Sequence, residues 1–241
     1  MRISVIVPAF NEEAELGATL HSIRAAMAAF DGLGWSSELI VCDNNSSDRT
    51  AGIARAAGAT VVFEPVNQIG RARNTGAARA TGDWLIFVDA DSHPGVPLFE
   101  DVAAEIQRGR CVAGGSTVTF QNPRPALRAV SLAWSAVSRL NRWAAGSFIF
   151  CRATVFREVG GFSHDLFAGE EIDLFRRLKR SARGSGRAIT IVHRHPIRTS
   201  DRKMRLYTWR EILVFMLRTL AARGQTLRSR QACYVWYDGR R

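Results

Sequence analysis

The chain has 241 residues, 46% of them apolar and 23% charged, with a net charge of +11. That length fits one large domain able to bury a core, and the balance is that of a soluble globular protein. No apolar stretch approaches the roughly 18–20 residues needed to span a bilayer, and the N-terminal run Ile3–Val7 is too short for the apolar region of a signal peptide.

Cys42, Cys111, Cys151 and Cys233 are far apart in sequence and form no metal-ligand or redox spacing. Three of them sit in apolar, strand-like runs, as buried free thiols do. Together these features predict a cytoplasmic protein. The charge is uneven: residues 176–241 hold 18 Arg and Lys against 3 Asp and Glu, whereas the first 175 hold 15 against 19. The basicity therefore belongs to the C-terminal quarter.

In chain order, strand-like runs are Ile3–Val7, Glu38–Cys42, Thr60–Phe63, Trp84–Val88, Val112–Phe120, Ser147–Cys151 and Ala188–His193. A helix between the first two is predicted from Leu16, Leu20, Ile23, Met27 and Phe30, with Asn11 as its N-cap and Glu12 and Glu13 in its first turn. A second helix follows Asn45–Asp48 and ends at Gly58; a third runs over Arg71–Ala80 and stops at Gly82. Strands separated by such helices predict βαβ units, and so an α/β/α sandwich around a mainly parallel, Rossmann-like sheet.

In sheets of this kind ligands bind beyond the carboxyl ends of the strands. The residues there are Pro8–Glu13, Asp43–Asp48, Glu64 and Asp89-Ala90-Asp91, an unusual gathering of carboxyl and amide groups. Neither Gly-x-Gly-x-x-Gly nor a P-loop follows the first strand. Asp89 and Asp91 flank one small residue at the end of an apolar strand. Hard cations such as Mg²⁺ and Mn²⁺ take oxygen ligands, commonly one or two carboxylates together with substrate phosphates. Alone, the same pattern also suits a turn or a helix cap.

Val5–Glu13, Val41–Asp48, Gly70–Gly76 and Asp89–Asp91, followed by Gly146–Arg152, Val159–Phe162 and Gly169–Leu174, resemble the ordered motifs of family 2 glycosyltransferases. The resemblance covers roughly residues 3–180 and implies the GT-A fold and an inverting transfer from a nucleotide sugar, uridine being the commoner base. It implies that Asp43 accepts from the nucleotide base, that Pro8, Phe10 and Glu12 line the base and ribose pocket, and that Arg73 and Asn74 brace the nucleotide or the Asp-x-Asp turn. Arg71 is left between phosphate and a solvated helix face. Asp89 is implied in ribose or metal contact and Asp91 in direct metal contact, the Mg²⁺ or Mn²⁺ ion acting as a Lewis acid on the departing diphosphate.

An inverting transfer also needs one general base for the acceptor hydroxyl. The family places it in an acidic pair before a helix, here Glu170-Glu171. Glu171 is the expected base, with Glu170 as the alternative, since the family usually has aspartate at this point. Asp173 and Arg177, four residues apart, are expected to form an ion pair. His193 or His195 is a candidate third metal ligand, a plain strand-end histidine being the alternative. Residues 198–202 either close over the pyrophosphate or form an exposed basic turn.

Residues 1–200 are expected to form the catalytic domain, and residues 201–241 a basic amphipathic helical segment with Thr208 and Glu211 as a capping box. That segment would pack on the domain or lie on an anionic membrane surface. The stretch Leu127, Val130, Leu132, Trp134, Val137 and Leu140 would flank the acceptor entrance in the same way. The resulting hypothesis is a lipid-linked or membrane-embedded acceptor, with no nucleic-acid partner. A non-catalytic binder of anionic surfaces is disfavoured by the acidic balance of the first 175 residues. A nucleotidyltransferase of similar fold is disfavoured because Pro8–Glu13 replaces the Gly-rich, Arg-containing loop it would carry.

Overall fold

The computed structural model of the chain describes residues 1–121, 125–202, 211, 214, 218–219, 222 and 224–237. The elements are β1 (Arg2–Ala9), α1 (Leu16–Asp31), β2 (Ser36–Asp43), α2 (Thr50–Ala56), β3 (Thr60–Phe63), α3 (Ile69–Arg79), β4 (Trp84–Val88) and β5 (Ser92–His93). They continue with α4 (Val96–Arg108), β6 (Cys111–Phe120), α5 (Pro125–Asn141), β7 (Phe148–Arg152), α6 (Ala153–Glu158), α7 (Glu170–Ala182) and β8 (Ala188–Thr199). A 3-10 turn, Gln225–Arg228, and the short α8, Tyr234–Tyr237, come last.

The strands form one sheet in the order β3-β2-β1-β4-β7-β6-β8-β5. β1 pairs in parallel with β2 and β4, β2 with β3, and β6 with β8, while β7 runs antiparallel between β4 and β6. This is the expected mixed, mainly parallel sheet. Alternation along each strand divides the core between its two faces. Ile3, Val5, Val7, Val41, Ile86 and Val88 pack with Leu20, Ile23 and Phe30 of α1 and Phe99 and Val102 of α4. Ile6, Ile40, Leu85 and Phe87 pack with Ala77 of α3, Phe156 of α6, and Leu174 and Leu178 of α7. A Cβ on Gly76 would stand 2.5 Å from Ile6 Cγ2, so glycine is what lets α3 lie directly on β1.

Three local expectations are corrected. α1 begins at Leu16, and Asn11 is not its cap. Asn11 adopts φ 49°, and its side-chain oxygen accepts from Ser47 N at 2.8 Å, so the amide ties the loop after β1 to the loop after β2. Glu12 and Glu13 precede the helix for the same reason. α4, which the strand-and-helix reading does not assign, carries Leu98, Phe99, Val102, Ala103 and Ile106 at helical spacing behind a first-turn proline. β8 does not stop at His193 but continues to Thr199, pairing with both β6 and β5. The capping box at Thr208 and most of the predicted C-terminal helix lie outside the described residues.

Candidate active site

Because β7 and the short β5 run against β1, β2, β3, β4, β6 and β8, one edge of the sheet gathers the carboxyl ends of those six strands and the start of β7. Asp43, the Asp89–Asp91 turn, Gly146 and Ser200 all lie on it, and the N-terminus of α7 closes on it. The turn is pinned from three sides. Asp89 N donates to Ser147 O at 3.3 Å, Thr19 Oγ1 donates to Ala90 O at 2.8 Å, and Ser200 N donates to Asp91 O at 3.1 Å. The backbone of the turn is fixed this way independently of its two carboxylates.

The centre of the cluster is Arg73 on α3, whose side chain is 1% exposed. Its Nη1 donates to Glu170 Oε1 at 2.7 Å, and its Nη2 donates to Asp89 Oδ1 at 2.8 Å and to Gly146 O at 3.0 Å. The guanidinium also stacks over Phe162, 5.1 Å from the ring centroid. Burial opposes its charge, but Asp89 and Glu170 outweigh burial and hold its pKa above the ordinary arginine value. Arg73 thus braces the Asp-x-Asp turn.

Glu171 follows Glu170 at the start of α7 but is placed differently. It is half-buried and forms no ion pair among the described residues; its hydrogen-bond partner is its own backbone N–H. Loss of hydration, and then the charge of Glu170, push its carboxyl up to about 8 against the opposing pull of Arg73. A Cβ on Gly146 would stand 3.1 Å from Arg73 Nη2 and 3.9 Å from the Glu171 carboxyl carbon, so glycine keeps the space between them open. Such a carboxyl, short of hydration and unpaired, can exchange a proton near neutral pH.

Asp91 is half-buried, and the nearest polar group recorded for its carboxylate is Ser92 Oγ, at 3.5 Å. It makes no ion pair among the described residues. One carboxylate oriented by an arginine and a second left unpaired two residues on are oxygen donors suited to a hard divalent cation beside a diphosphate. The histidines are not drawn to this turn. His195 Nδ1 lies 3.1 Å from Asp101 of α4, and His193 is exposed in mid-strand, because β8 runs on past both to reach Asp91 only at Ser200. Among the described residues no three His, Cys, Asp or Glu side chains are grouped to hold a metal.

Among the residues expected to meet the nucleotide, Asp43 is buried and its Oδ1 accepts from Ser46 N at 3.1 Å. Pro8 is buried in β1 and Phe10 is half-buried at its end. Glu12 receives Arg202 Nη2 on both carboxylate oxygens, at 2.8 and 2.9 Å, so the turn after β8 folds back over the loop after β1. Of the two readings left open for residues 198–202, the exposed basic turn is excluded for Arg202. Arg71 Nε donates to Gln68 Oε1 at 2.9 Å. No hydrogen bond among the described residues joins Asn74 to the Asp-x-Asp turn. Its amide exchanges two hydrogen bonds with the backbone of Phe162, at 2.8 and 2.9 Å, and lies 2.9 Å from His164 Nε2, because its position on α3 faces the loop before α7. The expected Asp173–Arg177 ion pair is present at 2.6 Å.

Other parts of the site carry little signal in the sequence. Phe162 belongs to a motif noted for its glycines, not for an aromatic face under Arg73. Tyr237 accepts from Ile69 N at 3.3 Å and packs edge-on against Phe167, with ring centroids 5.5 Å apart. Leu227 O accepts from Phe167 N at 2.7 Å. The described C-terminal residues therefore rest on the loop before α7 and on the start of α3.

Residues 4–170 match the sequence profile of glycosyl transferase family 2. The chain belongs to that family. An uncharacterized glycosyltransferase of Mycobacterium tuberculosis is 34% identical over 113 residues, 47% of each chain. The glucosyl-3-phosphoglycerate synthase of the same species is 33% identical over 159 residues, covering 53% of this chain and 48% of that one. The chain thus spans about half the length of the curated relatives it matches. Among solved structures, TarS of S. aureus shares the fold at TM-score 0.66 and 20% identity, over 90% of this chain and 65% of that one. The M. tuberculosis glucosyl-3-phosphoglycerate synthase, solved with Mn²⁺, uridine diphosphate and phosphoglyceric acid, aligns at TM-score 0.60 and 25% identity, over 91% and 76% of the two chains. The expected GT-A architecture of family 2 is the one observed.

Proposed function

We propose that the chain is an inverting glycosyltransferase that moves a sugar from a uridine-diphosphate sugar to an acceptor hydroxyl, with Glu171 as the general base. The observation that carries this reading is the division of the acidic pair. Glu170 neutralises Arg73, while Glu171, beside the same arginine, is left without a cation and with a raised pKa. In the reaction the acceptor oxygen attacks the anomeric carbon from the face opposite the diphosphate. The hydroxyl proton passes to the Glu171 carboxylate, and the bond from the anomeric carbon to the diphosphate oxygen breaks with its electron pair on the leaving group.

Asp91, with Asp89, would hold a divalent cation, and the donor set fits one. When bound, that ion supplies charge neutralisation at the departing diphosphate. Mn²⁺ is favoured because the glucosyl-3-phosphoglycerate synthase structure contains it with uridine diphosphate. Neither His193 nor His195 is included in this set. Arg73 fixes Asp89 for ribose or metal contact and keeps the turn from collapsing onto Glu170. Asp43, Pro8 and Phe10 form the nucleotide side, and Arg202, held by Glu12 within the field of Asp91, is within the charge environment that a diphosphate enters. We divide the chain near residue 200 into a transferase domain and a C-terminal segment.

The acceptor is assigned to a lipid-linked or membrane-associated class, and the enzyme to the cytoplasmic side. Supporting the latter, Cys42, Cys111, Cys151 and Cys233 are all free and buried, and burial raises the pKa of each thiol. Among the described residues no helix is long and apolar enough to cross a membrane. The test is a thermal-shift screen of nucleotide sugars with and without Mn²⁺, since a ligand that binds the native state raises its melting temperature. Uridine-diphosphate sugars should shift the transition only when the cation is present. A shift from sugar phosphates with nucleoside triphosphates instead would replace transfer with nucleotidyl chemistry.

A further inference from the structure

Among its described side chains, helix α5 exposes a set of apolar residues. Leu132 is 72% exposed and Leu140 is 86% exposed; Val137 is 41% exposed, and Ala129, Ala133 and Ala136 are exposed among them. Among the described side chains of the helix, the inward positions belong to serines. Ser138 is buried and donates to Trp143 O at 2.6 Å, and Ser131 donates to Val118 O. At 100° per residue the six exposed apolar positions fill an arc of about 140°, with the exposed Arg128 and Arg139 side by side along one border. A contiguous set of exposed leucine and valine side chains on one helix is a surface suited to being covered.

The chain around that face is basic in sequence. No Asp or Glu occurs between Glu105 and Glu158. At the end of α5, Arg142 is exposed, and Arg176 and Lys179 sit over the Trp143 ring at 5.9 and 5.5 Å, with Arg180 of α7 and Arg183 just after it exposed. Burial, and then the charges of Arg142 and Arg176, lower the pKa of Lys179, so this end is short of counter-charge. A second copy of the chain would set like charges against each other. A nucleic acid would satisfy the arginines but leave the leucines in water. An anionic bilayer accepts both, with headgroup phosphates on the guanidinium groups and the upper acyl region on the apolar stripe.

We propose that α5 is an interfacial helix that seats the protein on an anionic lipid surface, through Leu132, Val137 and Leu140 within a border of Arg128 and Arg139. The helix connects the carboxyl end of β6 to the start of β7, so the stripe stands on the same edge of the sheet as the Asp89–Asp91 turn and Glu171. Docking there would present an acceptor held in the interface to the transferase site. That consequence rests on the proposed function, whereas the docking itself does not.

The test is co-sedimentation of the full chain with vesicles of phosphatidylglycerol in phosphatidylcholine, against phosphatidylcholine alone. The wild-type chain should bind the anionic vesicles and not the neutral ones. Leu132→Ser with Leu140→Ser should lower the partition coefficient by about tenfold per leucine, and Arg128→Ser with Arg139→Ser by about fivefold per arginine. Both variants should keep the wild-type melting temperature and the uridine-diphosphate shift, since the replaced side chains are exposed and lie away from the acidic cluster. Absence of wild-type binding, or undiminished binding of the leucine variant, overturns the proposal, the latter assigning the contact to the basic C-terminal segment. So does a wild-type dimer in solution that the leucine variant converts to monomer. Vesicle binding without any shift by nucleotide sugars would instead count against the transferase reading and leave the docking standing.

Discussion

Arg73 donates to Glu170 at 2.7 Å from a fully buried position, and this contact separates the roles of two adjacent carboxyl groups. Glu170 is a fixed counter-ion. Glu171, one residue on, feels the negative field of Glu170 without a cation of its own, and its proton affinity rises. The difference comes from helix geometry, since consecutive side chains on α7 point about 100° apart and a single guanidinium reaches only one of them.

Glu171→Gln should therefore leave donor binding intact and lower the rate of transfer by roughly 10²–10⁴-fold, the range expected for losing a general base. Glu170→Gln should instead lower stability first. In the wild-type enzyme kcat/KM should rise with pH through a limb near 8, where the free Glu171 carboxyl ionises, and not near the ordinary carboxylate value of 4.5. A pH–rate profile of both proteins checks this; an acidic limb between 4 and 5 would remove Glu171 from the role.

The same carboxyl imposes a pH dependence on folding. Its pKa is raised in the folded chain, so the native state binds more protons than the unfolded one between about 4.5 and 8. Its contribution is full below 4.5 and is lost as pH rises through about 8. At pH 9 Glu171→Gln should thus be more stable than wild type, by on the order of 1–2 kcal/mol after allowing for partial exposure. Urea melts at pH 5 and pH 9 should show the gain at the higher pH alone.

Arg73→Met should cost about 3–5 kcal/mol, because it strands the buried Glu170 carboxylate without a partner. Adding Glu170→Met should restore most of that loss, since two apolar side chains can replace a buried pair at small net cost. Urea denaturation of the two variants decides the matter. If the double variant is no more stable than the single one, the pair is not the main term.

Asp91→Ala should abolish the Mn²⁺-dependent thermal shift by uridine diphosphate while leaving the unliganded melting temperature within a degree or two of wild type. Its carboxylate contributes no ion pair among the described residues and only a long contact from Ser92 Oγ, so truncation should remove the proposed ligand at little structural cost. His195→Ala, by contrast, should leave the Mn²⁺ response unchanged, because His195 faces Asp101.

The place of the Glu170-Glu171 pair was implied only by the family resemblance; the sheet, its face-to-face burial and the gathering of Asp43, Asp89 and Asp91 on one edge were legible in the amino-acid order. They depend on local periodicity and on the rule that parallel strands end on the same side. α4 carries an equally clear helical spacing behind Pro97, a local signal of the same kind. The end of β8 was not legible, because strand length is set by a partner. Pairing with β6 and β5 carries β8 past His193 and His195 to Thr199.

What the sequence determined by itself is which chemical groups are available and at which edge they emerge, because both follow from side-chain type and backbone period. Which group is neutralised and which is left reactive was decided only by the tertiary structure. Arg73 reaches Glu170 and Asp89 across 97 and 16 residues of chain, Arg202 reaches Glu12 across 190, and Asn74 turns to Phe162 across 88. Contacts at such separations have no local pattern. They arise where close-packed elements leave a buried charge room for one partner, and that choice is what sets Glu171 apart from its neighbour.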